Sequence, residues 1–157
     1  SERKCDLSYE ESAKDVYERL EIEKYRVNYL AIINTLEYLK RGGRVSAAAA
    51  FAGELLSIKP VISVIDGSVV IIGKPVGIKK ACKFVNNQIT KLGGINVNMP
   101  YGVIYSGNED SILQKFLKEY GEIFSQGGEL KKYVLGSTIG SHVGPGAFGV
   151  AFFDIEE

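Results

Sequence analysis

The chain has 157 residues, enough for one domain with a substantial core. Apolar residues make up 45% and charged residues 24%, which is ordinary globular usage, and 19 basic residues balance 19 acidic ones. A net charge of zero argues against a protein whose main work is holding a polyanion, because such binding needs clustered Lys and Arg to displace counterions.

In chain order, Ser8-Tyr9-Glu10-Glu11 fits a capping box, in which a hydroxyl and a carboxylate satisfy each other's backbone N–H groups. Ala13, Val16, Tyr17 and Leu20 then mark one face of a helix. Residues 25–34 (YRVNYLAIIN) read as a strand. Residues 36–40 read as a short helical turn stopped by Gly42-Gly43, and Ser46 caps an Ala-rich helix over 47–56. VISVI (61–65) and SVVII (68–72) flank Asp66-Gly67, a strong hairpin signal. Ile78, Ala81, Cys82, Val85, Ile89 and Leu92 follow helical spacing, and Gly93-Gly94 ends that helix. A loop over 93–100 leads to a strand over 101–106. Asn108 is expected to cap the next helix, with Glu109 and Asp110 in its first turn and Leu113, Phe116, Leu117, Tyr120 and Phe124 on its buried face. Gly127-Gly128 breaks to a loop, and strands follow over 132–137 and 147–155, separated by a glycine-rich segment. A hairpin inside an αβ alternation implies an α/β fold with a mixed sheet of about six strands flanked by helices.

Cys5 and Cys82 lie far apart with no CxxC partner, which excludes a metal framework and a disulfide scaffold. Cys82 falls on the apolar face of its helix and reads as a small buried hydrophobe in a reducing compartment. No apolar run approaches the ~20 residues of a membrane helix, so no stable membrane insertion is expected and a cytoplasmic location is the default. The chain opens on Ser1 and a charged helical segment, which reads as a fragment of a longer protein.

The chemistry concentrates at GSTIGSHVGPGAFG (136–149), which holds the only histidine, His142. Its glycines let the backbone approach a ligand, Thr138, Ser141 and the free N–H groups near Gly144 can hold an anionic oxygen, and the imidazole can donate to a carboxylate. The same pattern also fits a tight connection with a structural histidine. Arg41-Gly42-Gly43-Arg44 sets two guanidinium groups around a flexible break, either as a docking patch or as a solvated helix end. Phe51, Leu55 and Leu56 lie on a small, apolar helix that could line a pocket or be plain core. There is no GxSxG, P-loop or HExxH, and one histidine supplies no metal ligand set. No cofactor and no catalytic residue is assigned.

The strings TLEYLKRGGRVSAAAAF, ELLSIKPVISVIDGSV, GIKKA and IGSHVGPGAFGVAFF stand in the order and spacing of the second domain of the DegV family, which this chain resembles from about Leu30 onward. The resemblance implies that the whole chain is one C-terminal domain, and that an N-terminal domain is absent from it. It implies a carrier that encloses a long-chain fatty acid and presents its carboxylate to a separate fatty-acid kinase for phospholipid synthesis. On that pattern His142 is the carboxylate's hydrogen-bond partner, with Ser141 and neighbouring backbone beside it. The helix carrying Phe51, Leu55 and Leu56 walls the acyl tunnel, and Arg44, beside Arg41, meets the kinase. Two other readings remain open on the residues alone: a small hydrolase or transferase with His142 as general base, and a truncated module that associates through an exposed apolar face.

Overall fold

The computed structural model describes residues 12–43 and 57–155. The elements run α1 (Ala13–Glu23), β1 (Val27–Ile32), α2 (Glu37–Arg41), β2 (Val61–Ile65), β3 (Ser68–Gly73), α3 (Ile78–Lys91), β4 (Gly102–Tyr105), α4 (Ser111–Tyr120), β5 (Lys132–Val134), α5 (Ser137–Val143) and β6 (Phe148–Phe153). One mixed sheet holds the six strands in the order β3-β2-β1-β6-β4-β5. All neighbours are antiparallel except β4 and β5, which are parallel. The expected α/β architecture is therefore observed.

Several local signals act as the sequence predicts. Asp66 (φ 49°) and Gly67 (φ 73°) both take the left-handed conformation, the requirement of a two-residue turn that matches strand twist, and β2 pairs with β3 around them. At the end of α3, Gly94 N–H returns to the Ile89 carbonyl at 2.9 Å, and Gly93 and Gly94 sit at φ 85° and 96°. This is the Schellman stop that glycine permits.

The two faces of the sheet are covered differently. On one face α3 and α4 bury Ala81, Cys82, Val85 and Ile89 with Leu113 and Phe116 against Leu30, Ile32, Val61, Val103, Phe148, Val150 and Phe152. The Phe116 ring lies 4.9 Å from Phe148 and 5.5 Å from Tyr120, both tilted, which suits aromatic quadrupoles. On the other face a smaller cluster gathers Ala31, Ile33, Leu39, Ile62, Val143 and Ala147, with Leu39 and Val143 brought by α2 and α5.

Two expectations are corrected, at α4 and α5. Helix α1 has a capping box of its own, in which Ser12 Oγ accepts from Asp15 N–H at 3.2 Å and Asp15 accepts from Ser12 N–H at 3.0 Å. The capping box expected at Ser8-Tyr9-Glu10-Glu11 lies outside the described residues. The face marked by Tyr17 and Leu20 stays 62% and 53% exposed, so α1 contributes no fully buried residue. Helix α4 starts at Ser111, and Asp110 is its N-cap rather than a first-turn acid; Gln114 Nε2 holds the Asp110 carboxylate at 2.7 Å. The glycine-rich segment before β6 contains a helix, α5, where an irregular connection was expected. Ser46 and the helix over 47–56 lie outside the described residues.

Candidate functional site

The site is built at the end of the sheet where β1 and β4 finish and β6 begins. Helix α2 leaves β1 there, and α5 enters β6 there, so two short helices from distant parts of the sequence meet. Glycines set how closely they meet. A Cβ at Gly42, the C-cap of α2, would overlap His142 Nδ1, and a Cβ at Gly144 would overlap the Tyr38 ring. His142 is thereby seated, half-buried, on the end of α2.

The turn that follows is locked by one buried hydroxyl. Ser106, 2% exposed at the end of β4, donates from Oγ to the Gly144 carbonyl at 2.5 Å and accepts from Ala147 N–H at 2.9 Å. Its backbone joins in: Ser106 N–H donates to the Ala147 carbonyl at 3.0 Å, and Gly146 N–H donates to the Ser106 carbonyl at 2.9 Å. Gly144 (φ 76°) and Gly146 (φ 73°) supply the left-handed residues the turn needs. Four hydrogen bonds thus fix residues 144–147 against β4, and His142 is held two residues before that anchor.

Asn34 closes the same end. Lys59 Nζ donates to Asn34 Oδ1 at 2.7 Å and to the Asn34 carbonyl at 3.0 Å. An ammonium has no acceptor, so these contacts assign the amide: the oxygen faces Lys59. Asn34 Nδ2 then lies on the Gly146 side, 3.3 Å from where a Cβ on Gly146 would stand.

The sequence-derived site residues divide into three groups. His142 and Gly144 come together with α2. Ser141 and Thr138 are exposed on α5, and the Ser141 hydroxyl donates to the Thr138 carbonyl at 2.8 Å, so its proton is directed into its own helix. Arg41 is on α2, close in sequence to Gly42, and forms an ion pair with Glu37 one helical turn earlier. Arg44, Phe51, Leu55 and Leu56 lie outside the described residues. Tyr38, Ser106, Asn34 and Lys59 were not singled out in the sequence. The TLEYL and KP strings hold two of them, Tyr38 and Lys59, but only tertiary contact gives them a role.

A cleft of about 920 Å³ opens at the opposite end of β1, between Val27–Leu30 and Ser63–Gly67. It exists because β1 pairs with β2 over only Leu30, Ala31 and Ile32, after which the strands diverge. It is remote from His142. Among the described residues no group of three or more His, Cys, Asp or Glu could hold a metal ion, and no helix is long and apolar enough to cross a membrane.

Comparison with known proteins matches this arrangement to one family. A DegV-domain-containing protein of Caldanaerobacter subterraneus subsp. tengcongensis is 30% identical over 148 residues, covering 92% of this chain and 50% of that protein. The chain spans about half the length of the curated relatives it matches. A structure of a DegV family protein from Thermus thermophilus, described as fatty-acid binding, superposes with a TM-score of 0.72 at 27% identity, over 95% of this chain and 53% of that one. The fold is shared at 18% identity by the Streptococcus pneumoniae fatty acid kinase B3 protein, solved with linoleic acid, with a TM-score of 0.74 over 92% of this chain and 50% of that one. The model of the DegV family, described as uncharacterised proteins, matches residues 7–154 and so takes in the fold, the GGR string and the His142 turn together: the chain belongs to the DegV family.

Proposed function

We propose that this chain is the part of a fatty-acid carrier that orients the ligand's carboxylate, and that it does so through His142. The observation that carries the reading is the seating of His142: a half-buried imidazole held by Gly42 of α2 and by a turn fixed to Ser106. A prepositioned N–H donor of this kind suits a carboxylate oxygen. The family membership and the fatty-acid-binding description of the Thermus thermophilus protein support the substrate class. Gly144 and the backbone beside it would let the head group come close. Ser141 and Thr138 would shape the rim of the site rather than donate from Ser141, given the hydroxyl's direction.

The finer parts of the reading follow the family resemblance. The acyl chain would run along Phe51, Leu55 and Leu56, in the segment whose sequence is expected to be helical. Burial there would contribute about 0.8 kcal/mol per CH₂, with a few polar groups fixing the head. Arg41 and Arg44 would face a fatty-acid kinase, and the carrier would act in the cytoplasm without catalysis of its own. The structural neighbour named as a fatty acid kinase B3 protein supports that partner.

The test is lipid extraction and mass analysis of the longest gene product that contains this chain, with wild type and His142→Ala compared. Wild type is expected to retain stoichiometric fatty acid. A hydrogen bond to a charged group contributes about 1.5–3 kcal/mol, so His142→Ala is expected to weaken binding roughly 10- to 100-fold. Equal retention by the variant would remove His142 from the head-group site, and no lipid in either form would overturn the carrier reading.

A further inference from the structure

The charges of this neutral chain are segregated. The ion pairs on α1, its C-cap and α2 include Lys14–Glu18, Arg19–Glu23, Lys24–Glu21 and Arg41–Glu37. From residue 67 to residue 108 there is no Asp or Glu, and every charge is a lysine. Helix α3 lies inside that stretch. It buries Ala81, Cys82, Val85 and Ile89, and its outer face presents Lys79, Lys80, Lys83 and Lys91, all exposed, with no acid on the helix to pair with. Helix α4 packs beside it and adds exposed Lys115 and Lys118, with Glu119, also exposed, as the one acid on that helix. None of these six lysines takes part in an ion pair among the described residues. A helix does not accumulate like charges for its own stability, since lysines one turn apart, such as Lys79 and Lys83, repel by a few tenths of a kcal/mol.

We propose that the outer face of α3, flanked by Lys115 and Lys118, is a docking surface for an anionic phospholipid bilayer. Charge complementarity selects an anion, and two features select a bilayer among anionic partners. The apolar face of α3 is spent in the core, so the contact is electrostatic and peripheral, with no inserted side. The cations are all lysines, point charges without the bidentate fork that reads phosphates or base edges in a fixed geometry. Such charges fit headgroups that move laterally to meet them. Each lysine near an anionic surface strengthens binding about fivefold, and the effect falls off within a Debye length of about 10 Å at 0.1 M salt. The proposal stands apart from the carrier reading, because it concerns a face that contains neither His142 nor α2.

Co-sedimentation of the longest gene product containing this chain with vesicles tests it. Vesicles of phosphatidylcholine alone are compared with vesicles holding 30% phosphatidylglycerol, at low and at high salt. Binding to the anionic vesicles only, weakened at least tenfold by high salt, is expected. The variant Lys79→Gln, Lys80→Gln, Lys83→Gln, Lys91→Gln alters exposed positions and should fold, which circular dichroism checks; its binding should fall at least 30-fold. The control Lys14→Gln, Lys24→Gln should bind like wild type. Equal binding to both vesicle types, unchanged binding by the α3 variant, or an equal loss in the control would overturn the proposal. Salt-sensitive binding to duplex DNA without binding to anionic vesicles would overturn it too, and would reassign the face to nucleic acid.

Discussion

Gly144 sits where two constraints coincide: a φ of 76°, and a Tyr38 ring packed where a side chain would go. Gly144→Ala should therefore lower stability by about 2–3 kcal/mol, read from the urea midpoint, since both backbone strain and overpacking oppose it. Adding Tyr38→Ala relieves the overpacking alone, so a double-mutant cycle should show coupling of at least ~0.5 kcal/mol. Cys82 offers a pH-dependent check of the core. Burial pushes its thiol up to about 11 from an ordinary 9.0, and the Glu119 carboxylate pushes the same way. The folded protein thus holds this proton more tightly than the unfolded chain. Its contribution is complete below pH 9 and is lost as pH rises from 9 to about 11. Burial raises Tyr29 as well, with the same sign of effect above pH 10. Urea midpoints should fall across that window, and fall less in Cys82→Ala. The sequence made Cys82 legible through its helical spacing. It also made His142 and Gly144 legible as a chemical cluster. Tyr38 and Gly42 as their partners were not legible, because nothing in a string of residues records which helix end will face which turn.

Helix α5 shows why one element escaped the sequence reading. Gly140 lies within it, and glycine costs about 1 kcal/mol in a helix interior, so the propensity of GSTIGSHVGPG argues for loop. Tertiary packing overrides this: Val143 is buried beside Leu39, and the far end of α5 is tied to β4 through Ser106. Ser106→Ala tests that account. It would leave the buried Gly144 carbonyl and Ala147 N–H without their partner, at about 1–3 kcal/mol each. A loss of about 2–4 kcal/mol in urea denaturation is expected, together with weaker fatty-acid retention, because His142 depends on the same turn. Ser106→Thr, which keeps the hydroxyl, should retain more of both. The hairpin and α3 were legible because Asp66-Gly67 and Gly93-Gly94 impose local geometry that no distant contact has to supply. The start of α4 was misplaced by two residues, since Asn108, Glu109 and Asp110 are all good N-terminal residues and propensity does not choose among them.

The sheet as a whole is asymmetric. Its larger core lies under α3 and α4, and Phe148 is central to it, touching Phe116 from the strand that also begins at the site. Phe148→Ala should cost about 3–5 kcal/mol, near the total stability of a small domain, and a marked loss of soluble protein is expected on expression. Mixed topology was legible from the hairpin within an αβ alternation. Strand order was not, because the antiparallel seating of β6 between β1 and β4 leaves no mark on the sequence of either neighbour. That seating has a consequence for how the protein is made. β1 and β4 are joined to each other only through β6, and β6 follows the other five strands in the chain. On a ribosome adding about 5–20 residues per second, β1 must wait for about 115 further residues, roughly 6–23 s, before its neighbour β6 exists. Until then the two halves of the sheet are separate pieces with open inner edges. The nascent chain is most open to edge-to-edge pairing, and most in need of a chaperone, just before β6 emerges.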